Sequence, residues 1–323
     1  MSFMYYDLGG KVKEKHPLRQ LDNLINFKSL LYRVPELQEL DQNVGRKGYG
    51  VEVGLKSIVL QFHYDISDRE LEERLHYDIA FRWFCGFEFD DETPEHTYFA
   101  RMRKAIGTAR LGKILRAINK QAREKGIMRN LFAFVDATAI KAKETTWAER
   151  DKALAAGDEA VNNDNIGNYS ADKDARFGCK GKSKFWYGYK DNVAADMGSG
   201  LIECTVVTPA NVPDNQALRY ICPKNRIVFG DKAYCLKDAQ SAMLANGCAS
   251  ATILKNNMKG KNKDRDRWIT RIRSPFESIF SKKSRKARYR GLAKVQLQAY
   301  LEAIVFNCKR LIKINSPPLF VGA

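Results

Sequence analysis

Two apolar runs in this sequence close on a carboxylate: "FVDAT", which holds Asp136, and "FGDKAY", which holds Asp231. A third acid, Glu277, stands alone in a basic helical stretch, "RIRSPFESIF". An ionised Asp at the end of a core strand is costly without a counter-charge. Taken singly, each acid has an ordinary role. Asp136 can cap a turn, Asp231 can cap the helix after it, and Glu277 can pair with Arg273 at i−4 for roughly a few tenths of a kcal/mol. Taken together they point to chemistry. Carboxylates at strand ends converge at one sheet edge, and a flanking helix can bring a third. Three acids packed close repel one another and need cations, and hard oxygen ligands select Mg²⁺ or Mn²⁺. Two such ions about 3.5–4 Å apart activate an attacking oxygen and stabilise a leaving one in phosphodiester chemistry. The expectation is that Asp136, Asp231 and Glu277 are catalytic metal ligands, and that Asp136 faces a metal ion rather than a protein cation.

The elements that must position these acids follow from periodicity. In "LRQLDNLINFKSLLYRV" the apolar positions 18, 21, 24/25, 27 and 30/31 trace a helical stripe. "DISDRELEERL" offers Ser67 as N-cap with Glu70 three residues on, a capping box. "ETPEHTYFARMRKAI" predicts a helix with Thr93 as N-cap and Pro94 at its first position. "LGKILRAINKQAREKGI" predicts another. Residues 1–128 therefore read as an all-helical, helix-turn-helix-like DNA-binding domain. From 130 the texture turns to strands. The first is "NLFAFVDATAI", followed by a polar, Asn/Asp-rich interval over 144–180 that reads as an irregular insertion. A hairpin is predicted with strands 184–195 and 201–208 joined at "DMGSG". Helix, strand, helix, strand and two further helices complete the order. That order, over 129–314, predicts an α/β fold with a mixed sheet flanked by helices, the ordering of ribonuclease-H-like folds, and 315–323 reads as a loose tail.

Charge narrows the partner. The chain has 323 residues with 55 Lys and Arg against 38 acids, a net charge of +17. Residues 255–290 hold 14 Lys/Arg against 3 acids, so +11 of that total falls in one stretch, interleaved with Trp268, Phe276, Phe280 and Tyr289. Such an excess suits a polyanion, nucleic acid first, and the aromatic interleaving suits phosphate contact with either base stacking or core anchoring. Arg285, Arg288 and Arg290 belong to this stretch. Lys232 and Tyr234 flank Asp231 and are placed to touch a phosphate, with core packing the equal alternative for Tyr234. Arg101 and Arg103 lie on the helix after "TPEHT", where phosphate contact and a solvated face are both open. The seven cysteines are scattered without a C-x-x-C pair or zinc spacing, which fits reduced thiols in a cytosol. No apolar run suits a signal peptide or a membrane span.

These motifs, in this order, resemble a DDE transposase of the insertion-sequence-five family, almost end to end. "SDRELEERLHYDIAFRWFCGF" with "DETPEHTYFARMR" resembles the family's N-terminal helical block, and "VDATAI" its first-Asp strand. "YGYKDNVAADMGSGLIECTVVTPANVPDNQAL" resembles the hairpin and next helix, and "GDKAY" the second-Asp motif D-x-[GA]-[YF]. "RIRSPFESIF" and "ARYRGLAKVQLQAYLEAIVFNCKRL" resemble the Glu helix and the C-terminal helices. The resemblance implies a ribonuclease-H-like core with two Mg²⁺ or Mn²⁺ ions on Asp136, Asp231 and Glu277. It implies cleavage at terminal inverted repeats and joining of the 3′-OH ends to target DNA. Arg273 matches the Arg four residues before the Glu, where it would bind a phosphate or orient Glu277. Two positions depart from the pattern: Thr270 stands where the related signature has Tyr, and Ser284 where it has Lys, so the resemblance leaves that DNA contact to Lys282 and Lys283 beside it.

The implied partners are double-stranded DNA, as terminal repeat and target, and a second copy of the chain when two ends are held. The implied setting is the bacterial cytoplasm, at the nucleoid. Two rivals stay open at this level: a metal-dependent nuclease or resolvase of the same fold, and a non-catalytic DNA-binding protein.

Overall fold

The computed structural model describes residues 7–41, 48–129, 131–143, 147–157, 160–181, 183–281 and 283–315. Lys282 and the predicted tail from 316 onward lie outside the described residues. The chain divides into two compact units, residues 1–121 with 304–323, and residues 122–303.

The first unit is helical: α1 Leu8–Lys11, α2 Pro17–Leu24, α3 Phe27–Arg33, a 3-10 turn Pro35–Asp41, α4 Gly50–Tyr64, α5 Asp68–Tyr77, α6 Ile79–Cys85 and α7 His96–Glu124. The single stripe over 18–31 is two helices, because Asn26 caps α3 by accepting from the Ser29 N–H. The Ser67–Glu70 capping box forms as predicted. The start of α7 does not. It begins at His96 rather than at Pro94, and the His96 N–H donates to the Glu72 carboxylate 3.0 Å away. A long-range acid thus takes the part that the sequence gives to Thr93. Gly107, at φ 65°, breaks α7 in two, separating the two predicted helices.

The second unit holds β1 Phe132–Lys141, α8 Trp147–Ala155, α9 Ile166–Tyr169, β2 Arg176–Lys180, β3 Lys184–Asp196, β4 Ile202–Pro209, α10 Asp214–Ile221, β5 Ile227–Gly230, α11 Lys237–Ala245, β6 Ala249–Thr252, α12 Lys263–Ser281 and the start of α13 Leu292–Asn315. β3 runs antiparallel to β1, β2 and β4, while β5 is parallel to β1 and β6 to β5. The sheet reads β4-β3-β1-β5-β6 with β2 extending the β3 end, a ribonuclease-H-like mixed sheet flanked by helices. The 144–180 interval is more ordered than its composition suggests. It carries α8, α9 and β2, and its Asp172 accepts from the Tyr189 hydroxyl at 2.6 Å and from the Gly291 N–H at 3.2 Å. Polar residues there serve long-range hydrogen bonds, which local periodicity does not reveal.

One face of the sheet packs Val135 and Val228 against Leu218 of α10, Met243 of α11 and Tyr234 of the segment joining β5 to α11. The other packs Phe229, Ala251 and Ile253 against Ile269 of α12. β3 crosses β1 at Gly188, whose φ is 148°, and a Cβ there would lie 2.2 Å from the Ile140 carbonyl oxygen. Only glycine fits a positive φ against backbone atoms that cannot yield. Gly188→Ala is expected to destabilise the protein by about 3 kcal/mol, read as a lowered urea midpoint.

Candidate active site

Asp136 is not at the end of its strand. β1 continues five residues beyond it to Lys141, with Asp136 opposite Val193 of β3. It is β5 on the other side that ends early. β1 and β5 pair as Phe132 with Ile227, Ala133 with Val228 and Phe134 with Phe229, and β5 stops at Gly230. The next pairing on that side of β1 is Lys141 with Lys286, fixed by the Lys141 N–H to the Arg285 carbonyl at 2.8 Å and the Ala287 N–H to the Lys141 carbonyl at 2.8 Å. Asp136 lies between the two. Carrying the β1–β5 register on by two residues sets Asp136 level with Asp231. In-register residues of parallel neighbours share a face and lie about 4.8 Å apart across the sheet.

The shared face is the one under α12. Phe134 packs against Phe276 and Phe280, and Phe229 against Trp268. Arg273 of the same helix lies over the Phe134 ring, 5.5 Å from its centre, and its guanidinium is 3.7 Å from an Asp136 carboxylate oxygen. This corrects the expectation that Asp136 faces no protein cation. Periodicity shows that α12 is amphipathic but not which of its arginines turns inward.

The two carboxylates are held differently. Asp136 accepts from its neighbouring Ala137 N–H at 2.8 Å, and Asp231 accepts from the Ala233 N–H at 2.8 Å in a tight turn after β5. Burial pushes the Asp136 carboxyl up to about 6, and the negative charge of Asp231 adds to this. The Ala137 N–H, Arg273 and Lys180 pull it down. Lys180, at the end of β2, thereby adds positive potential at Asp136. Tyr234 is a core residue with no exposed surface, so it does not touch a phosphate. Burial first, then Asp136, Asp214 and Asp231, push its phenol well above its ordinary value.

Glu277 is on α12 one turn beyond Arg273, and it is exposed. Among the described residues no three His, Cys, Asp or Glu side chains are gathered closely enough to hold a metal ion. The structure thus brings Asp136 and Asp231 together and leaves Glu277 apart. The pair itself fits a hard divalent cation: two oxygen donors at one level, one of them costly to ionise without a positive neighbour.

Two arginine and lysine expectations fail for one reason, burial. Lys283 is a core residue, its ammonium paired with Asp191 while each side chain keeps 1% of its surface. Arg103 clasps Asp68 through two bonds of 2.7 and 2.6 Å and is 8% exposed. Neither is free to meet DNA. Lys232, Arg285, Arg290 and Arg101 are exposed, and Arg288 is half-buried. The 284–290 segment that carries three of them is pinned by the Gln298 side chain, which accepts from the Arg288 N–H at 2.8 Å and donates to the Lys286 carbonyl at 3.1 Å.

Residues 129–308 match the family described as transposase DDE domain, and residues 6–105 match a transposase domain (DUF772). The chain belongs to the DDE transposases. One relative is the transposase for insertion sequence element IS1106 of Neisseria meningitidis serogroup B. It is 29% identical over 241 residues, covering 68% of this chain and 80% of the relative. A solved structure, a piggyBac transposase synaptic complex with hairpin DNA, aligns over 91% of this chain and 75% of its own at 9% identity and a TM-score of 0.37, too low to establish a shared fold. Membership in this family implies dependence on divalent metal and action on DNA. Among the described residues, no helix is long and apolar enough to cross a membrane.

Two stability measurements follow for this DDE transposase. A carboxyl raised from 3.8 to about 6 in the folded state costs about 3 kcal/mol when ionised. The folded chain binds the extra proton between those values, so stability falls as pH rises through that window. In buffer with chelator at pH 8, Asp136→Asn is expected to raise the melting temperature by several degrees, and the gain should shrink as pH falls from 6 towards 4. Lys283→Ala leaves Asp191 buried without its cation and is expected to cost about 3–5 kcal/mol in a urea melt.

Proposed function

We propose that this chain cleaves DNA at the terminal inverted repeats of its mobile element and joins the freed 3′-OH ends to target DNA. The observation that carries the reading is the buried Asp136, acted on by the charge of Asp231 and set 3.7 Å from Arg273 where β5 ends and leaves β1 open. In this reading Asp136 and Asp231 hold divalent ions, Mg²⁺ or Mn²⁺, two per site. Bound there, the ions would supply activation of the attacking oxygen and stabilisation of the leaving one. Asp136, fixed in mid-strand, and Asp231, fixed by its turn, present their oxygens from rigid backbone. Arg273 holds the Asp136 carboxylate in place and offers a guanidinium to a phosphate.

Glu277 is the third acid of this reading. Pro275 lies inside α12 between Arg273 and Glu277. Lacking an N–H, it leaves the Arg271 carbonyl without its helical partner and makes that turn the easiest place for α12 to bend. A bend there is the movement that would turn Glu277 towards the pair. The helical first unit would recognise the repeats, with Arg101 among its contacts. Arg285, Arg288, Arg290 and Lys232 would hold phosphates in the catalytic unit. Two ends must be cut together, so a dimer or larger assembly is expected on DNA, at the nucleoid of a bacterial cytoplasm.

The test uses labelled duplex carrying the element's own end, with Mg²⁺. Wild type is expected to nick at the end. Asp231→Asn and Glu277→Gln should each lower the rate more than about 100-fold, since loss of partners outside the ligand shell already costs about 10–100-fold, while end binding persists. Cleavage by Glu277→Gln at the wild-type rate removes Glu277 from the site, and cleavage by Asp231→Asn at that rate overturns the reading.

A further inference from the structure

The seven cysteines are scattered in sequence, yet the fold brings two of them together. Cys222 closes the C-terminal end of α10, and Cys248 stands one residue before β6. Their side chains share a hydrogen bond. The Cys248 thiol also donates to the carbonyl of Pro223, the residue after Cys222, at 3.0 Å. Both cysteines pack against the core that holds Leu218 and Met243, and both are half-buried.

The backbone holds them there. The Asn225 N–H donates to the Asn246 carbonyl at 2.9 Å, and the Ala249 N–H to the Arg226 carbonyl at 2.8 Å. These bonds set the α10–β5 turn alongside the α11–β6 turn without help from the sulfurs. The Cys248 N–H is itself fixed to the Met243 carbonyl at 2.8 Å. Two thiols in hydrogen-bond contact on fixed segments leave mainly side-chain rotation between them and an S–S bond of about 2.05 Å. The thiols stand before β5 begins, and Asp231 follows its other end, so they lie across the sheet from the acidic pair. Among the described strands, β6 ends the sheet and pairs with β5 alone. A bond between these sulfurs would tie that end strand to the turn preceding its one neighbour.

We propose that Cys222 and Cys248 are an oxidation site, converted by a hydroperoxide to a disulfide that fastens β6 and is reversed by low-molecular-weight thiols. Disulfides of this kind are transient and redox-sensing in reducing compartments. Burial first, and then Cys248, push the Cys222 thiol up to about 12. Cys222 therefore stays protonated, and the reaction starts at Cys248, since the thiolate is the nucleophile. The Cys248 thiolate attacks the outer oxygen of the hydroperoxide and the O–O bond breaks. The sulfur is oxidised to a sulfenic acid, and the leaving alkoxide takes the proton that Cys248 released, becoming an alcohol. The Cys222 sulfur then attacks the sulfenic sulfur. The S–S bond forms, the S–O bond breaks, and hydroxide leaves with the Cys222 proton as water. Two thiols and one hydroperoxide thus give one disulfide, one alcohol and one water. Two glutathione thiols reverse the bond by exchange and become glutathione disulfide.

The measurement uses the full chain carrying Cys179→Ser, which removes an exposed thiol able to link two molecules. The protein is treated with hydrogen peroxide, its remaining thiols are alkylated, and its peptides are read by mass spectrometry. The main product is expected to join Cys222 to Cys248. Closing residues 222 to 248 into a loop should raise the melting temperature by about 5 °C, and glutathione should restore both thiols and the original melting point. Adding Cys222→Ser should abolish the gain and leave a sulfenic acid on Cys248 that dimedone traps. Should that variant fail to fold, phenylarsine oxide, which bridges two neighbouring thiols, serves on the Cys179→Ser chain. One equivalent is expected to protect Cys222 and Cys248 together from alkylation, and failure to protect them overturns the proposal. So does peroxide treatment that leaves the two reduced, that joins either to Cys204, or that carries Cys248 on to sulfinic acid. An oxidised form that melts no higher than the reduced one overturns it as well. No DNA cleavage is read, so the result stands apart from the proposed function.

Discussion

Two acids brought together beside α12, Asp136 inside β1 and Asp231 just past the end of β5, are the constraint on which the catalytic unit turns. The charge of Asp231 acts on Asp136, and burial of Asp136 makes its ionised form costly. Hydrophobic packing alone would put an apolar residue there. The fold instead surrounds the pair with positive potential of graded strength. Arg273 is nearest, Lys180 is more remote, and the Ala137 and Ala233 N–H groups act at contact distance. Each is weaker than a bound divalent ion would be. The arrangement holds the acids in place without satisfying them, an imbalance that suits the proposed uptake of divalent cations.

α12 ties this electrostatic problem to packing. Its inward stripe of Ile269, Arg273, Phe276 and Phe280 is apolar apart from one cation. Arg273 lies over the Phe134 ring, so its stem and flat face share in the apolar contact while its guanidinium reaches Asp136. Lysine has the charge for this position but not the planar face. Two residues on, Pro275 interrupts the hydrogen-bond ladder of the same helix. The helix is thus anchored at its Arg273 turn and weakened just after it, where Glu277 projects.

The sequence made the order of elements legible because apolar periodicity and turn chemistry are local. The Ser67 capping box and the β3–β4 hairpin both form where their residues predict. What it could not show is which polar residues turn inward. Lys283, Arg103 and Arg273 sit in stretches that look alike on paper, and each is buried by a partner far away in sequence: Asp191, Asp68 and Asp136. The same holds for Asp172, in a segment whose composition reads as loop. Long-range polar pairing leaves no periodic trace. It was also invisible that β1 outruns Asp136, because strand length depends on the partner strands rather than on the strand's own residues.

The basic stretch 255–290 shows the same point in terms of charge. Its cations do not form one uniform DNA-facing surface. Lys261 fastens the Leu254–Asn256 loop, Arg273 serves Asp136, and Lys283 neutralises Asp191 in the core. Lys263, Arg267, Arg271, Arg285 and Arg290 remain exposed. Electrostatic steering depends on the net field of the whole stretch, so both sets contribute to drawing in a polyanion. Only the exposed set can exchange water for phosphate at little cost, because a buried ion pair cannot be opened without stranding its partner. The inward cations are therefore committed to the fold around the acidic pair, and the outward ones are the set open to a phosphate.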